Sequence, residues 1–146
     1  MATNNQFSIN LPEGWADITT HTFQGPNESG VQHNLVIIID SSVEKKMDLK
    51  TYVSKQLDTS KIALPGFELI SEKEKTLSSG VDAYEIVYKY IPADEVIIFQ
   101  KQVILLIDGK GYLFTASFSK KTLKTIANEV DEIIASFMPG KSYDDE

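Results

Sequence analysis

The stretch V-I-I-F-Q-K-Q-V-I-L-L-I-D-G-K-G-Y-L-F-T-A-S-F-S, residues 96–119, decides the fold. Two apolar β-prone runs flank Asp108-Gly109-Lys110-Gly111, and Asp-Gly between such runs predicts a tight hairpin, because glycine accepts the positive φ that these turns demand. Side chains of a strand alternate between its faces, so Gln100 and Gln102 share one face with Ile98 and Ile104. Two amides in an otherwise greasy strand form the first candidate for function.

Upstream, Val81–Tyr90 reads as a strand whose more aromatic set, Tyr84, Ile86 and Tyr88, meets the core. It follows a charged strand over Phe67–Leu77 and a turn at Ser78-Ser79-Gly80; Ile91-Pro92-Ala93-Asp94-Glu95 is expected to break the ladder. Leu49, Tyr52, Val53, Gln56 and Leu57 fall at helical spacing behind Asp48 as N-cap, predicting a helix that stops before Pro65-Gly66. Gln56 occupies a position of the apolar stripe, where an amide either bonds backbone or meets a partner.

Nearer the N-terminus, Phe7, Ile9 and Leu11 alternate with polar residues as in a half-buried strand, ended by Pro12-Glu13-Gly14. A second strand is expected over Ile18–Phe23, with Ile18, Thr20 and Thr22 on one side and His21 and Phe23 on the other. Gln24–His33 reads as a loop, from Gly25-Pro26-Asn27 and Ser29-Gly30. Leu35–Ile39 is wholly apolar, which calls for a layer on each side of the sheet, and something other than the chain's own helices can supply one. Past Ser119, a candidate cap, Leu123, Ile126, Ala127, Val130, Ile133, Ile134 and Phe137 trace one helical stripe up to Pro139-Gly140. The expected fold class is therefore α+β: a mainly antiparallel sheet of about seven strands with two principal helices.

At 146 residues the chain fits a single domain, 1–146, that buries roughly two thirds of its unfolded surface without metal or disulfide. Residues 1–5 and 140–146 are expected to be flexible tails. There is no cysteine, which removes thiol nucleophiles and thiolate metal sites. A formal net charge of −7 argues against nucleic acid as a partner. No apolar run reaches the roughly 20 residues of a membrane span, and the N-terminus lacks an export signal, so direct membrane insertion is not expected and cytoplasmic residence is.

Catalytic constellations are absent from the pattern. His21 and His33 are the two histidines and lack the spacing of a zinc site; no serine sits in a G-x-S-x-G frame. Gly140-Lys141-Ser142 leaves a helix instead of opening one, and Gly109-Lys110-Gly111 has no βαβ context. The expectation is a non-enzyme with no cofactor, no catalytic residue and no metal site.

Leu11-Pro12-Glu13-Gly14-Trp15-Ala16-Asp17, Lys55-Gln56-Leu57, Leu64-Pro65-Gly66-Phe67, Gln100-Lys101-Gln102 and Leu113-Phe114-Thr115-Ala116 stand in this order along the chain. In order and approximate spacing they resemble the effector-associated (Eag) chaperones of bacterial type VI secretion, within the DcrB-like group of PsbP-like fold. The resemblance implies a cytoplasmic homodimer whose sheet offers an apolar face to N-terminal transmembrane or amphipathic helices of an effector, helping to load it onto the VgrG spike. It implies client contacts at Gln56 and at one or both of Gln100 and Gln102, on a face shared with Ile18, Thr20, Thr22, Ile98 and Ile104. Where that family tends to place aliphatic groove residues, this chain has Thr20 and Thr22, whose hydroxyls need partners when buried. Two other classes fit the same sequence: a DcrB-like or other PsbP-like domain that recognises a folded protein, and a small-molecule binding domain or enzyme, which needs an enclosed pocket with convergent polar groups.

Overall fold

Asp108 and Gly109 take φ of 50° and 76° and join β7 (Val96–Ile107) to β8 (Lys110–Phe118) in register from Ile107 opposite Lys110 to Phe99 opposite Phe118. Two consecutive positive φ values give a turn whose twist matches that of paired strands. The computed structural model describes residues 2–3, 8–15, 19–28, 31–41, 43–44 and 46–138. Within them β3 (Thr20–Glu28), β4 (Val31–Asp40), β5 (Glu68–Thr76), β6 (Asp82–Ala93), β7 and β8 form one antiparallel six-stranded sheet, ordered β3-β4-β8-β7-β6-β5. A separate ribbon pairs β1 (Ala2–Thr3) with β2 (Ser8–Ile9).

Helix α1 (Leu49–Ala63) starts where Asp48 Oδ1 accepts the Thr51 N–H at 2.7 Å and stops before Pro65, as its sequence predicts. Its Tyr52, Val53 and Leu57 pack on Ile86, Tyr88, Ile104 and Leu113. Helix α2 (Ile126–Ala135) covers the opposite face, where Ile126, Ala127, Val130 and Ile134 meet Leu35, Val103, Leu105, Phe114, Ala116 and Phe118. Each fully buried aliphatic or aromatic side chain contributes roughly 1.5–3 kcal/mol, so the two cores, one on each face, hold both helices down.

Four expectations change. The strand expected over residues 7–11 shrinks to β2, which pairs with β1 outside the main sheet; Phe7 lies outside the described residues. Gln24–His33 is not a loop: β3 runs to Glu28 and β4 starts at Val31, with the irregularity between Gln24 and Asn27 absorbed as a bulge. Gln32 Nε2 donates to the Gly25 carbonyl and His33 Nδ1 to that of Pro26 at 2.9 Å, restoring partners that the bulge removes. Ile91–Ala93 does not end the ladder, since β6 continues through a register shift to Ala93 opposite Val96. Ser119 does not cap α2: its Oγ accepts the Thr122 N–H ahead of a 3-10 turn, Thr122–Lys124, and α2 begins only at Ile126. Of the expected tails, residues 1, 4–5 and 140–146 lie outside the described residues, while Ala2–Thr3 form β1.

Candidate functional site

Register places every described candidate strand residue on the face that carries α1. One row runs Thr22–Val36–Thr115–Gln102–Ile86–Glu72, strand by strand across the sheet, and its neighbour runs Thr20–Ile38–Leu113–Ile104–Tyr84–Glu74. A third joins Ser117, Gln100, Tyr88 and Leu69. Directly opposed residues share a face. The two sequence-predicted groups, the glutamines of β7 and the threonines of β3, therefore belong to one surface, roughly 14 Å apart across three strand spacings.

Helix α1 covers only one side of that surface. It closes Ile104 off completely, placing it among the core residues and not on the accessible part of the face. Beyond the helix, Thr20 and Thr22 are exposed, Ile38 is 39 % exposed, and Val36, Thr115, Ser117 and Ile98 are half-buried. None of these side chains is charged, in a chain that is 24 % charged. The apolar run of β4 thus receives its expected second layer from α2 on one face, while on the other Val36 is half-buried and Ile38 exposed.

The two amides differ in their surroundings. Gln100 Oε1 accepts the Tyr88 hydroxyl at 2.6 Å, and its Nε2 donates to Ser117 Oγ at 3.0 Å. Burial, and then the field of Tyr90, push the Tyr88 phenol up to about 12, so it stays a donor. Gln102 is 9 % exposed; its Nε2 donates to Thr115 Oγ1 at 3.2 Å, and its Oε1 has no partner. A buried acceptor without a donor costs about 1–3 kcal/mol, and one sealed from water as this one is receives an outside donor only after a side chain moves aside.

Gln56 is half-buried on α1 and lines a hollow of about 200 Å³ with Asp40, Val43, Glu44, Met47, Tyr52 and Lys55, which includes neither β7 amide. Tyr52 forms its wall, donating to Asp40 Oδ2 at 2.8 Å. Ile18 lies outside the described residues. Sequence reading missed Val36, Ile38 and Ser117 as members of the face; the period-two pattern of β4 and β8 marks their parity, and only strand order brings them beside the glutamines.

Elsewhere, buried Glu85 contacts Lys73, Lys75 and Lys101, and Lys101 reaches Asp131 of α2 at 2.9 Å, an ionic tie between sheet and helix. Among the described residues no three His, Asp or Glu gather as metal ligands, and no helix is long and apolar enough to cross a membrane.

The family model described as DcrB matches residues 7–136. Among solved structures, the fold is similar to PA94, a protein of unknown function from Pseudomonas aeruginosa, with a TM-score of 0.78, 18 % identity, and coverage of 97 % of this chain and 96 % of that one. It is also similar to the cyanobacterial PsbP (CyanoP) of Synechocystis sp. PCC 6803, with a TM-score of 0.58, 18 % identity, and coverage of 83 % and 82 %. A comparison with curated proteins finds no match. At such identities the likeness establishes the architecture, an α+β fold of the PsbP kind.

Proposed function

We propose, starting from the fact that this chain belongs to the DcrB family, that it is a non-enzymatic adaptor whose open sheet face receives an apolar helix of a client protein. The client class that fits is the N-terminal transmembrane or amphipathic segment of a type VI secretion effector, bound in the cytoplasm and handed on to the VgrG spike. One observation carries the reading: the uncharged face beside α1, where Ile38 is exposed and Val36 half-buried on the two rows that hold Ile104 and Gln102.

A membrane helix in water exposes more apolar surface than a soluble chain tolerates, and covering it is the dominant gain of association. Amides suit such a groove, because helices that pack in membranes present small polar groups for hydrogen bonds. The threonines of β3 add methyls with hydroxyls at the rim, where water remains a partner. No step of this cycle needs a cofactor or a nucleotide.

Co-expression of the full chain with the N-terminal segment of an effector encoded beside its gene is the test. The expected result is a soluble complex, with the segment insoluble or degraded when expressed alone. If the segment is equally soluble and stable without this protein, the reading is wrong. Capture of the effector's folded domain without that segment replaces it with recognition of a folded partner.

A further inference from the structure

On the face that carries α2, a cavity of about 90 Å³ opens between that helix and the β3–β4 pair. Leu35, Phe118, Ile126 and Val130 form its floor, all of them buried members of the α2 core. His33 lines it too but has no nitrogen to spare: Nδ1 donates to the Pro26 carbonyl at 2.9 Å, so Nε2 accepts the Thr122 hydroxyl at 2.8 Å. A mostly apolar cavity of this kind takes an apolar guest in preference to water.

The mouth differs from the floor. Phe23 of β3 is 57 % exposed and Ile133 of α2 is 53 % exposed, so two large apolar side chains flank the opening. Glu129, one helical turn before Ile133, stands exposed at the same rim. Among the described residues no lysine or histidine pairs with its carboxylate. Size narrows the guest further. A cavity of about 150 Å³ lined by Leu, Ile and Phe holds benzene. At about 90 Å³ this one is too small for a ring and suits a branched aliphatic side chain.

We infer that this groove receives a helical segment of a second protein, which seats a leucine, isoleucine or valine on Leu35, Phe118 and Val130 and pairs a lysine or arginine with Glu129. Side chains three or four positions apart share one helix face, so a single turn of the partner supplies both, matching the spacing of Glu129 and Ile133 on α2. Two other occupants fit less well. Anionic lipid attracts basic rims, and this rim is acidic. A second copy related by a two-fold axis at the groove brings two Glu129 carboxylates to one seam. The inference does not rest on the client reading, whose face is the one that carries α1.

Selection of a random helical-peptide library, displayed on phage, against the full chain is the test. Enriched peptides are expected to share an aliphatic residue with a lysine or arginine three or four positions away. Replacing that aliphatic residue by alanine is expected to weaken a synthetic peptide about tenfold or more. Phe23 and Glu129 are exposed, so Phe23→Ala and Glu129→Gln keep the fold by circular dichroism, and each is expected to weaken the peptide several-fold. With Glu129→Lys the selection moves to an acidic residue at the basic position. Thr22→Lys, on the α1 face, is expected to leave the peptide's affinity unchanged. No shared motif, a motif that Glu129→Lys does not change, or binding lost in Thr22→Lys but kept in Phe23→Ala overturns the inference. So does self-association of the unmodified chain that Glu129→Lys abolishes, which assigns the groove to a second copy.

Discussion

The Tyr88 hydroxyl donates to Gln100 Oε1 at 2.6 Å, straight across the β6–β7 pair. Gln100 is therefore built into the sheet, held also by Ser117, while Gln102, two positions on, keeps a free buried oxygen. Leucine is close to glutamine in volume, which separates the two roles. Gln100→Leu strands the Tyr88 hydroxyl and is expected to lower stability by about 1–3 kcal/mol. Gln102→Leu removes an unsatisfied acceptor and is expected to leave stability unchanged or raised by roughly 1 kcal/mol. Urea unfolding of both variants decides; equal losses would show that Gln102 is as structural as Gln100.

Glu85 predicts how the fold responds to acid. Burial alone would lift its carboxyl, yet Lys101, and then Lys75 and Lys73, outweigh that cost and hold it below the usual range. A depressed carboxyl stabilises above its unfolded value, and the contribution fades as pH falls through the folded value. Glu85→Gln is expected to cost roughly 1–3 kcal/mol at pH 7, the range for hydrogen bonds to charged groups. The gap between variant and wild type then narrows as pH falls through and below the ordinary carboxylate range. A gap that stays constant over that range in urea titrations contradicts the role.

Gly111 lies beneath the ring of Tyr52, and a Cβ there meets the phenol oxygen and its neighbouring carbons. Tyr52 is buried and tied to Asp40, so it has little room to give. Gly111→Ala is expected to destabilise the chain by about 1–3 kcal/mol, in the range of overpacked cores. Pairing it with Tyr52→Leu should relieve most of that loss. Additive losses in thermal melts of the double variant would refute the clash.

Much of this arrangement was legible in the residues. Asp108-Gly109 gave away the hairpin, the parity of Gln100 and Gln102 gave their common face, and Asp48 and Pro65 bounded α1, because each rests on local backbone chemistry. What escaped depends on distant partners. Gly25-Pro26 reads as a loop until Gln32 and His33 supply the hydrogen bonds that let β3 carry a bulge. Ile104 looks like a companion of the glutamines until α1 lands on it. Val36 and Ile38 look like ordinary core, yet neither joins the cluster that α1 closes, although Tyr52 of α1 reaches β4 at Asp40. Periodicity assigns a residue to a face, but which part of the face is roofed is a tertiary fact.

The alternating charges of β5 have a consequence for growth. A sheet with two receptive edges adds copies without end and becomes a filament. Here β5 is one border of the sheet, lined by Glu72, Lys73, Glu74 and Lys75, and a two-fold pairing of that strand with its own copy opposes like charges, Glu72 to Glu74 in one register or Lys73 to Lys75 in the next. The same short run of charges that makes β5 an unremarkable surface strand thus blunts that border against its own copy, so the sheet ends there without serving as a template for further copies.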